Sequence, residues 1–258
     1  MRLQADGRVL RVGHKGAAAL EPENTLRSLA KAIELGVDLV EFDVLELVDG
    51  TLVLAHSDDL REVSHGAAHG LVRPLSLEQL RAVAPELPTL DEALAFIAGT
   101  AAGVHVDLKR RGYEAPVVEA LRRHGLVDRA LISTVHGLSL RAVAQLEPAL
   151  ARGLTHPYDR HGLSRRRALA PATLGVLETL RRALPYRIGG LLARAQATAA
   201  VLQYRVVTRA AVVRCHALGV PVLAWTVDRP AVLQRLARWG VDGVITNDPG
   251  IFLTTLRS

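Results

Sequence analysis

Side chains suited to acid–base and metal chemistry stand at the ends of apolar runs in this sequence. They are His14, Glu41, Asp43, His56, Asp107 and Lys109. Strand side chains alternate with period two, so Glu41 and Asp43 are expected on one face of a strand. The same spacing applies to Asp107 and Lys109. The ends of parallel strands share one rim in an α/β barrel, and we therefore expect these groups to meet.

Three carboxylates do not stay ionised side by side without a cation, because like charges raise each other's pKa. Mg²⁺ or Ca²⁺ suits such an oxygen set, which predicts a metal site at Glu41, Asp43 and Asp107. A divalent ion binds phosphate oxygens, and Lys109 adds a second positive charge. Histidines titrate near neutral pH and exchange protons readily. The predicted reaction is cleavage of a phosphodiester, with His14, His56 and Lys109 as catalytic residues.

Each part also has a simpler interpretation when it is taken alone. A single histidine is commonly structural, and Asp107 and Lys109 could form an exposed ion pair. Asn24 or Thr25 can cap the helix that follows; Asn24 is most simply interpreted as such a cap, as Glu23 could be, and Asn24 and Glu23 stay outside the predicted catalytic set. The order of the groups at successive strand ends is what favours a site.

The surrounding pattern alternates strand and helix nearly to the end of the chain, and we found no linker that divides it. Repeated βα units predict a parallel sheet, and eight of them in this length predict a single-domain (β/α)₈ TIM barrel over residues 1–258. The expected strands are Val9–Gly13, Val37–Leu47 with its hairpin arm Thr51–His56, Val104–Leu108, Ala130–Thr134, Leu150–Thr155, Ala199–Gln203, Val220–Val227 and Gly243–Thr246.

Helical spacing and capping residues predict the intervening helices. They are residues 26–33, Leu75–Ala82, Thr89–Ala98, Val117–His124, Leu138–Gln145, Ala172–Ala183, Thr208–Leu218 and Pro230–Trp239. The least regular stretch is Thr155–Arg194, which contains three successive arginines at 165–167. It is interpreted either as a lid or basic collar, or as an ordinary solvated loop and helix.

Composition narrows the class of protein. With 258 residues, 49% of them hydrophobic, the chain can bury a large core. Its one cysteine, Cys215, cannot form an internal disulfide, and there is no apolar leader or run of about 20 apolar residues, so a cytoplasmic protein is expected. The net charge of +6 suits anionic substrates or membranes, but scattered basic residues and 3% aromatics argue against nucleic acid.

Together the motifs resemble the glycerophosphodiester phosphodiesterase family. The matching segments are His14-Lys15-Gly16, Pro22-Glu23-Asn24-Thr25, Glu41-Phe42-Asp43, His56, Asp107-Leu108-Lys109, Ala224-Trp225-Thr226-Val227-Asp228 and the stretch from Gly240 to Pro249. They span nearly the whole chain and are specific only in combination.

The resemblance implies a TIM barrel that uses a divalent metal to hydrolyse glycerophosphodiesters to an alcohol and glycerol 3-phosphate. By position it implies metal ligation by the three carboxylates and acid–base catalysis by the two histidines. It also implies that Lys109 contacts phosphate, that Lys15 binds substrate, and that Trp225 lines the substrate pocket. The usual family reaction has the glycerol 2-hydroxyl attack phosphorus, and water then opens the cyclic phosphate.

Four positions depart from the family pattern. Lys15 stands for the usual arginine, Asp107 for glutamate and Ser57 for aspartate, and the aromatic that usually follows Ser133 is absent. A lysine binds phosphate as a point charge instead of a bidentate fork. Aspartate is one methylene shorter, so Asp107 is expected to reach the ion through water or to shift it.

Two other functions remain open at this stage. The first is a lysophospholipase D-like enzyme in peripheral contact with a membrane, with an apolar mouth. That mouth would be formed by Leu163, Leu169, Leu174 and Leu177. The second is a non-catalytic phosphate-binding barrel, which the substitutions at Lys15 and Asp107 motivate. The head group, the metal, the order of the two histidines and the oligomeric state are not predicted.

Overall fold

The computed structural model describes residue 3, residues 8–157 and residues 170–255. Eight parallel strands form a closed barrel in the order β1-β9-β8-β7-β6-β5-β4-β2, and β1 pairs with β2 to complete the ring. The short strand β3 lies antiparallel on β2, as its hairpin pattern predicted. The strands are β1 Leu10–Gly13, β2 Leu39–Glu46, β3 Leu52–Leu54, β4 Gly103–Leu108, β5 Ala130–Thr134, β6 Ala151–His156, β7 Ala199–Gln203, β8 Val222–Trp225 and β9 Gly243–Thr246. The predicted single-domain TIM barrel is confirmed.

Helices surround the barrel. They are α1 Leu26–Glu34, α2 Leu60–Val63, α3 Leu77–Val83, α4 Leu90–Ala98, α5 Glu114–Arg123, α6 Gly137–Leu146, α7 Ala170–Ala195, α8 Arg209–His216, α9 Pro230–Arg238 and α10 Gly250–Thr255. In the second half of Thr155–Arg194, the predicted helix Ala172–Ala183 is present but ends later than expected, because α7 runs through Pro185 and stops only before Gln196 at φ +52°. The arginines at 165–167 lie outside the described residues.

Strand β2 shows how the sequence aims carboxylates into the barrel. Val40, Phe42 and Val44 pack outward with helix residues in one buried cluster, whereas Leu39 belongs to the cluster inside the barrel. Glu41 and Asp43 alternate with the outward set and therefore share the inward face. In the parallel pairing with β4, Glu41 lies beside His105 and Asp43 beside Asp107.

The barrel interior is apolar at one end and polar at the other. Its apolar plug consists of Leu10, Val12, Leu39, Leu131, Ala151, Ala199, Val201, Leu223 and Ile245, joined by Leu3. This plug fills the barrel beneath the polar rim. No helix among the described residues combines the length and apolarity that crossing a bilayer requires.

A tight bend follows β1 and sets the first histidine. Gly16 has φ +83°, and a Cβ there would lie 2.4 Å from atoms of Ser28. The Ser28 hydroxyl accepts from Ala17 N and donates to Lys15 O, which fixes the bend against α1. Only glycine fits both the backbone angle and the close approach. His14 N donates to Thr246 O at 2.7 Å, so the residue is tied to β9 as well.

Candidate active site

A cavity of about 240 Å³ opens at the carboxyl ends of the strands. Six of the eight predicted site residues line it. They are His14, Glu41, His56, Asp107, Lys109 and Trp225. The predicted Asp43 and Lys15 lie behind this wall. The carboxyl ends of the strands thus bring most of the predicted side chains to one place, as expected.

Lys109 occupies the centre of the acidic cluster. Its Nζ lies 2.6 Å from Asp43 Oδ1 and 2.6 Å from Asp107 Oδ2. Burial alone would lower the pKa of the Lys109 ammonium, but Asp107, Asp43 and Glu41 outweigh it and raise that pKa. Burial alone would raise the pKa of the fully buried Asp43 carboxyl, but Lys109 and other cations nearby lower it. Asp43 and Lys109 are therefore both charged.

Glu41 is the third acid and faces the first histidine. Its Oε2 accepts from Lys15 N at 2.7 Å and lies 4.0 Å from His14 Nε2. Burial, and secondly the charge of Asp43, raise the pKa of the Glu41 carboxyl. One lysine among three acids leaves a surplus of negative charge at this point of the rim.

This donor set fits a divalent cation in charge and chemistry. Asp43 Oδ1 is buried and accepts no hydrogen bond, since its contact with Lys109 Nζ is outside hydrogen-bond geometry. In the described part of the chain, however, Glu41, Asp43 and Asp107 do not place one oxygen each within 4.8 Å of the others. Lys109 stands between Asp43 and Asp107, so these two could approach a common ion only after the ammonium moves.

His14 is oriented by a chain of partners. Its Nδ1 lies 2.7 Å from Asn247 Oδ1, and Asn247 Nδ2 donates to Asp228 Oδ2 at 2.7 Å. Because Asp228 accepts from the amide nitrogen, the amide oxygen faces His14, and Nδ1 must carry the proton. The other ring nitrogen of His14, Nε2, is then unprotonated and faces Glu41. Burial lowers the pKa of His14, which favours the neutral ring.

His56 is oriented in a similar way. Its Nδ1 lies 2.6 Å from Glu62 Oε1, and the Ser57 hydroxyl donates to Glu62 Oε2 at 2.8 Å. Glu62 belongs to α2, whose first turn is capped by the Asp59 side chain. The two predicted acid–base residues thus line one cavity with Nδ1 already engaged.

The sequence profile of the glycerophosphoryl diester phosphodiesterase family matches residues 14–251, which is nearly the whole chain. The chain belongs to this family. A glycerophosphodiester phosphodiesterase of Caldanaerobacter subterraneus subsp. tengcongensis is 27% identical over 266 residues, covering 97% of this chain and 98% of that one. The enzyme of the same name from Bacillus subtilis is 25% identical and covers 97% of this chain and 87% of its own.

Solved structures agree with this assignment. The crystal structure of a protein described as a glycerophosphoryl diester phosphodiesterase, from Silicibacter pomeroyi, matches with a TM-score of 0.80 at 26% identity. The match covers 98% of this chain and 95% of that one. A phosphodiesterase of Oleispira antarctica in complex with sn-glycerol-3-phosphate matches with a TM-score of 0.75 at 24% identity, covering 96% of each chain, and supports the fold.

In this phosphodiesterase-family chain, two residues of the family-like opening motif serve as supports. Asn24, interpreted from sequence as a helix cap, instead donates to Asp43 Oδ2 at 3.0 Å and accepts from Asp43 N at 3.1 Å. That expectation was wrong, because Thr25 caps α1 and Asn24 turns inward at φ +58°. Glu23 accepts from Lys15 Nζ at 2.9 Å through both oxygens.

Another support lies beneath Asp107. Ser133 Oγ donates to Asp107 Oδ1 at 2.5 Å and lies 2.8 Å from Nε2 of the buried His105. Burial lowers the pKa of His105 to about 4, so this ring is neutral at neutral pH. Ser133 therefore accepts from His105 and fixes the shorter acid of this family member from one side.

Sequence reasoning missed Glu62, Asn247, Asp228, Ser133 and His105 as supports of the site. The one feature of the sequence that could have indicated Glu62 is its position six residues after His56. The apolar-mouth alternative loses one of its residues, since Leu177 packs against a buried cluster. Leu163 and Leu169 lie outside the described residues, and the side chain of Leu174 is not described.

Proposed function

We propose that this protein hydrolyses glycerophosphodiesters to an alcohol and glycerol 3-phosphate. The observation that carries the proposal is the pair of Nδ1-anchored histidines, His14 and His56, in one cavity with a lysine–carboxylate cluster. Family membership gives the reaction class, and the product bound in the Oleispira relative is the one proposed here. The substrate is a small phosphodiester with a glycerol moiety.

The proton transfers belong to the two imidazoles. Each has Nδ1 occupied, so Nε2 is the atom that takes or gives a proton. One imidazole would remove the proton of the glycerol 2-hydroxyl as its oxygen bonds to phosphorus. The other would protonate the alcohol oxygen as its bond to phosphorus breaks. The roles reverse when water opens the cyclic phosphate.

Glu41, Asp43 and Asp107 are the residues that would hold a divalent ion, Mg²⁺ or Ca²⁺. When bound, such an ion neutralises the charge of the phosphate oxygens. Asn24 orients Asp43 and Ser133 orients Asp107 by the hydrogen bonds described above. The Lys109 side chain would move so that its ammonium leaves these carboxylates and contacts the phosphate.

Two further residues are proposed to bind substrate. Trp225 is half-buried at the cavity wall and donates from Nε1 to Val201 O at 3.2 Å, so its ring is held in place. Lys15 lies behind the wall with its ammonium on Glu23, and it would bind the substrate phosphate only after the ammonium leaves that carboxylate.

The test uses purified protein with glycerophosphocholine, glycerophosphoethanolamine and lysophosphatidylcholine, each with Mg²⁺ or Ca²⁺. We expect glycerol 3-phosphate from the first two and its loss in H14A and H56A. H124A is the matched control, because His124 pairs with Asp91 on the helical surface. Head-group release from the lysolipid alone would favour the membrane enzyme, and no product from any substrate would favour the binding protein.

A further inference from the structure

Glu62 contacts His56 but does not itself line the substrate cavity. Its two carboxylate oxygens have separate partners, because Oε1 lies 2.6 Å from His56 Nδ1 and Oε2 accepts from Ser57 Oγ at 2.8 Å. Ser57 Oγ in turn accepts from Asp59 N at 3.2 Å. Ser57 therefore holds one oxygen of the carboxylate while the other oxygen contacts the ring.

The contact indicates which ring nitrogen of His56 carries the proton. An ionised carboxylate only accepts hydrogen bonds, so Nδ1 must donate and Nε2 is left free. A carboxylate at this position also stabilises the positive ring that forms when Nε2 takes a proton, as in other histidine-dependent sites. His14 has a neutral amide, Asn247, in the equivalent place.

Glu62 does not reach the substrate cavity itself. The residues that line that cavity include His56 but not Glu62. Glu62 lines a separate small cavity behind the ring, together with Glu23, Asn24 and His65. Glu62 therefore meets the wall of the substrate cavity at His56.

We propose that Glu62 is a positioning residue that holds His56 in the Nδ1-protonated form, with Ser57 fixing the carboxylate. The inference rests on the proposed function for the role of His56, but the ring geometry stands without it. It also gives a use to Ser57, the position where this chain departs from the family's aspartate.

A rival interpretation makes the same residues a metal site. Glu23, His56 and Glu62 can each place one ligand atom within 4.8 Å of the others. Both oxygens of Glu23 are already paired with Lys15, however, and His56 Nδ1 is paired with Glu62. These pairings already occupy the Glu23 carboxylate and His56 Nδ1, so we favour the positioning role and test the rival directly.

The kinetic experiment compares E62A and E62Q with the unmodified protein on glycerophosphocholine. We expect E62A to lower kcat about tenfold to a hundredfold with KM within about twofold, the range found for groups that orient ligating or catalytic histidines. E62Q keeps an acceptor oxygen and should lose less. R61A, on the same short helix and exposed, should match the unmodified protein.

A second measurement is independent of turnover. Nitrogen-15 NMR of the histidine rings reports which nitrogen is protonated, and H56Q identifies the His56 signals among those of ten histidines. We expect an Nδ1-protonated ring in the unmodified protein and a shift toward the Nε2-protonated form in E62A. Calorimetric titration with Mg²⁺ or Ca²⁺ should give the same affinity for both proteins.

The outcomes separate the alternatives. An unchanged His56 tautomer in E62A overturns the proposal, as does an unchanged kcat in an active enzyme. Loss of divalent-ion binding in E62A overturns it in favour of the metal site. If the unmodified protein releases no glycerol 3-phosphate, the proposed function fails, whereas the NMR result still decides the role of Glu62.

Discussion

Nδ1 of His14 lies 2.7 Å from Oδ1 of Asn247, although the two residues are 233 positions apart in the chain. The contact joins the end of β1 to the segment after β9. Asp228 fixes the amide by accepting from both its side-chain nitrogen and its backbone nitrogen. A proposed catalytic ring therefore depends on residues that follow the last two strands.

Removing that anchor should slow the reaction without preventing folding. We expect N247A to lower kcat about tenfold to a hundredfold because His14 loses the partner of Nδ1. D228A should act in the same direction and more weakly, since the amide stays but is free to turn. D128A, at an exposed aspartate, is the control. Equal kcat in N247A and D128A would contradict the assignment of His14.

Replacing Lys109 with methionine should lower the free energy of unfolding of the metal-free protein. The change leaves the buried Asp43 and the nearby Asp107 without the ammonium that contacts both, and breaking such a pair costs about 3 kcal/mol. Urea unfolding measures this loss. Added Mg²⁺ or Ca²⁺ should stabilise K109M more than the unmodified protein, because the ion has no ammonium to displace.

The matched control for that experiment is K31M. Lys31 pairs with Glu34 on the surface of α1 and should change stability by less than about 0.5 kcal/mol. The same stability for K109M and the unmodified protein, with or without the ion, would count against the acidic cluster as a cation site.

Asp38 lies at the start of the barrel, and its carboxyl should make the stability of the protein depend on pH. It accepts from Arg11 N at 2.8 Å and from both terminal nitrogens of Arg8 at 2.8 Å. Burial alone would raise the pKa of Asp38, but Arg8 and Arg11 outweigh it and lower that pKa. D38N should therefore lose about 1 to 2 kcal/mol at pH 7.

The sign of that dependence follows from the lowered pKa. The carboxylate's contribution is fully present above the unfolded value of about 3.9 and disappears as the pH falls through the lower folded value. Urea midpoints of D38N and the unmodified protein should converge between roughly pH 4 and the acid limit of folding. A gap that stays constant over this range would refute the ion pairs as its cause.

Cys215 should resist thiol reagents in the native protein. Its side chain is buried in the cluster between α8 and the barrel, and burial raises its pKa to about 11. The thiolate is the reactive form, so little of it exists at pH 8. We expect slow labelling by a disulfide reagent until urea unfolds the chain, when one thiol should react quickly. Rapid labelling of the folded protein would show that the helix opens.

Much of the architecture was accessible from sequence, because βα units have distinct hydrophobic periods. Glu41 and Asp43 were identified by spacing, and the barrel then brought them to the rim beside Asp107. Boundaries were less predictable, as α7 shows. Its predicted end at Ala183 lies just before Pro185, yet packing of Leu184, Ile188 and Leu192 against α8 and the barrel carries the helix on.

The supporting residues could not be found in the same way. Asn247 and Ser133 act across space on His14 and Asp107, and no sequence period encodes such contacts. Asn24 was misread because its residue type suits a helix cap. Its actual contact with Asp43 arises only from the bend that precedes α1.

The seam between β1 and β9 has a consequence for biosynthesis. Asn247, the anchor of His14, is synthesised 233 residues after it. A nascent polypeptide therefore lacks this contact until Asn247 has been synthesised, and a chain terminated before Gly243 would lack β9 as well. A circular permutant with its new termini in a helix between His14 and Asn247 would synthesise Asn247 first and still contain all eight barrel strands.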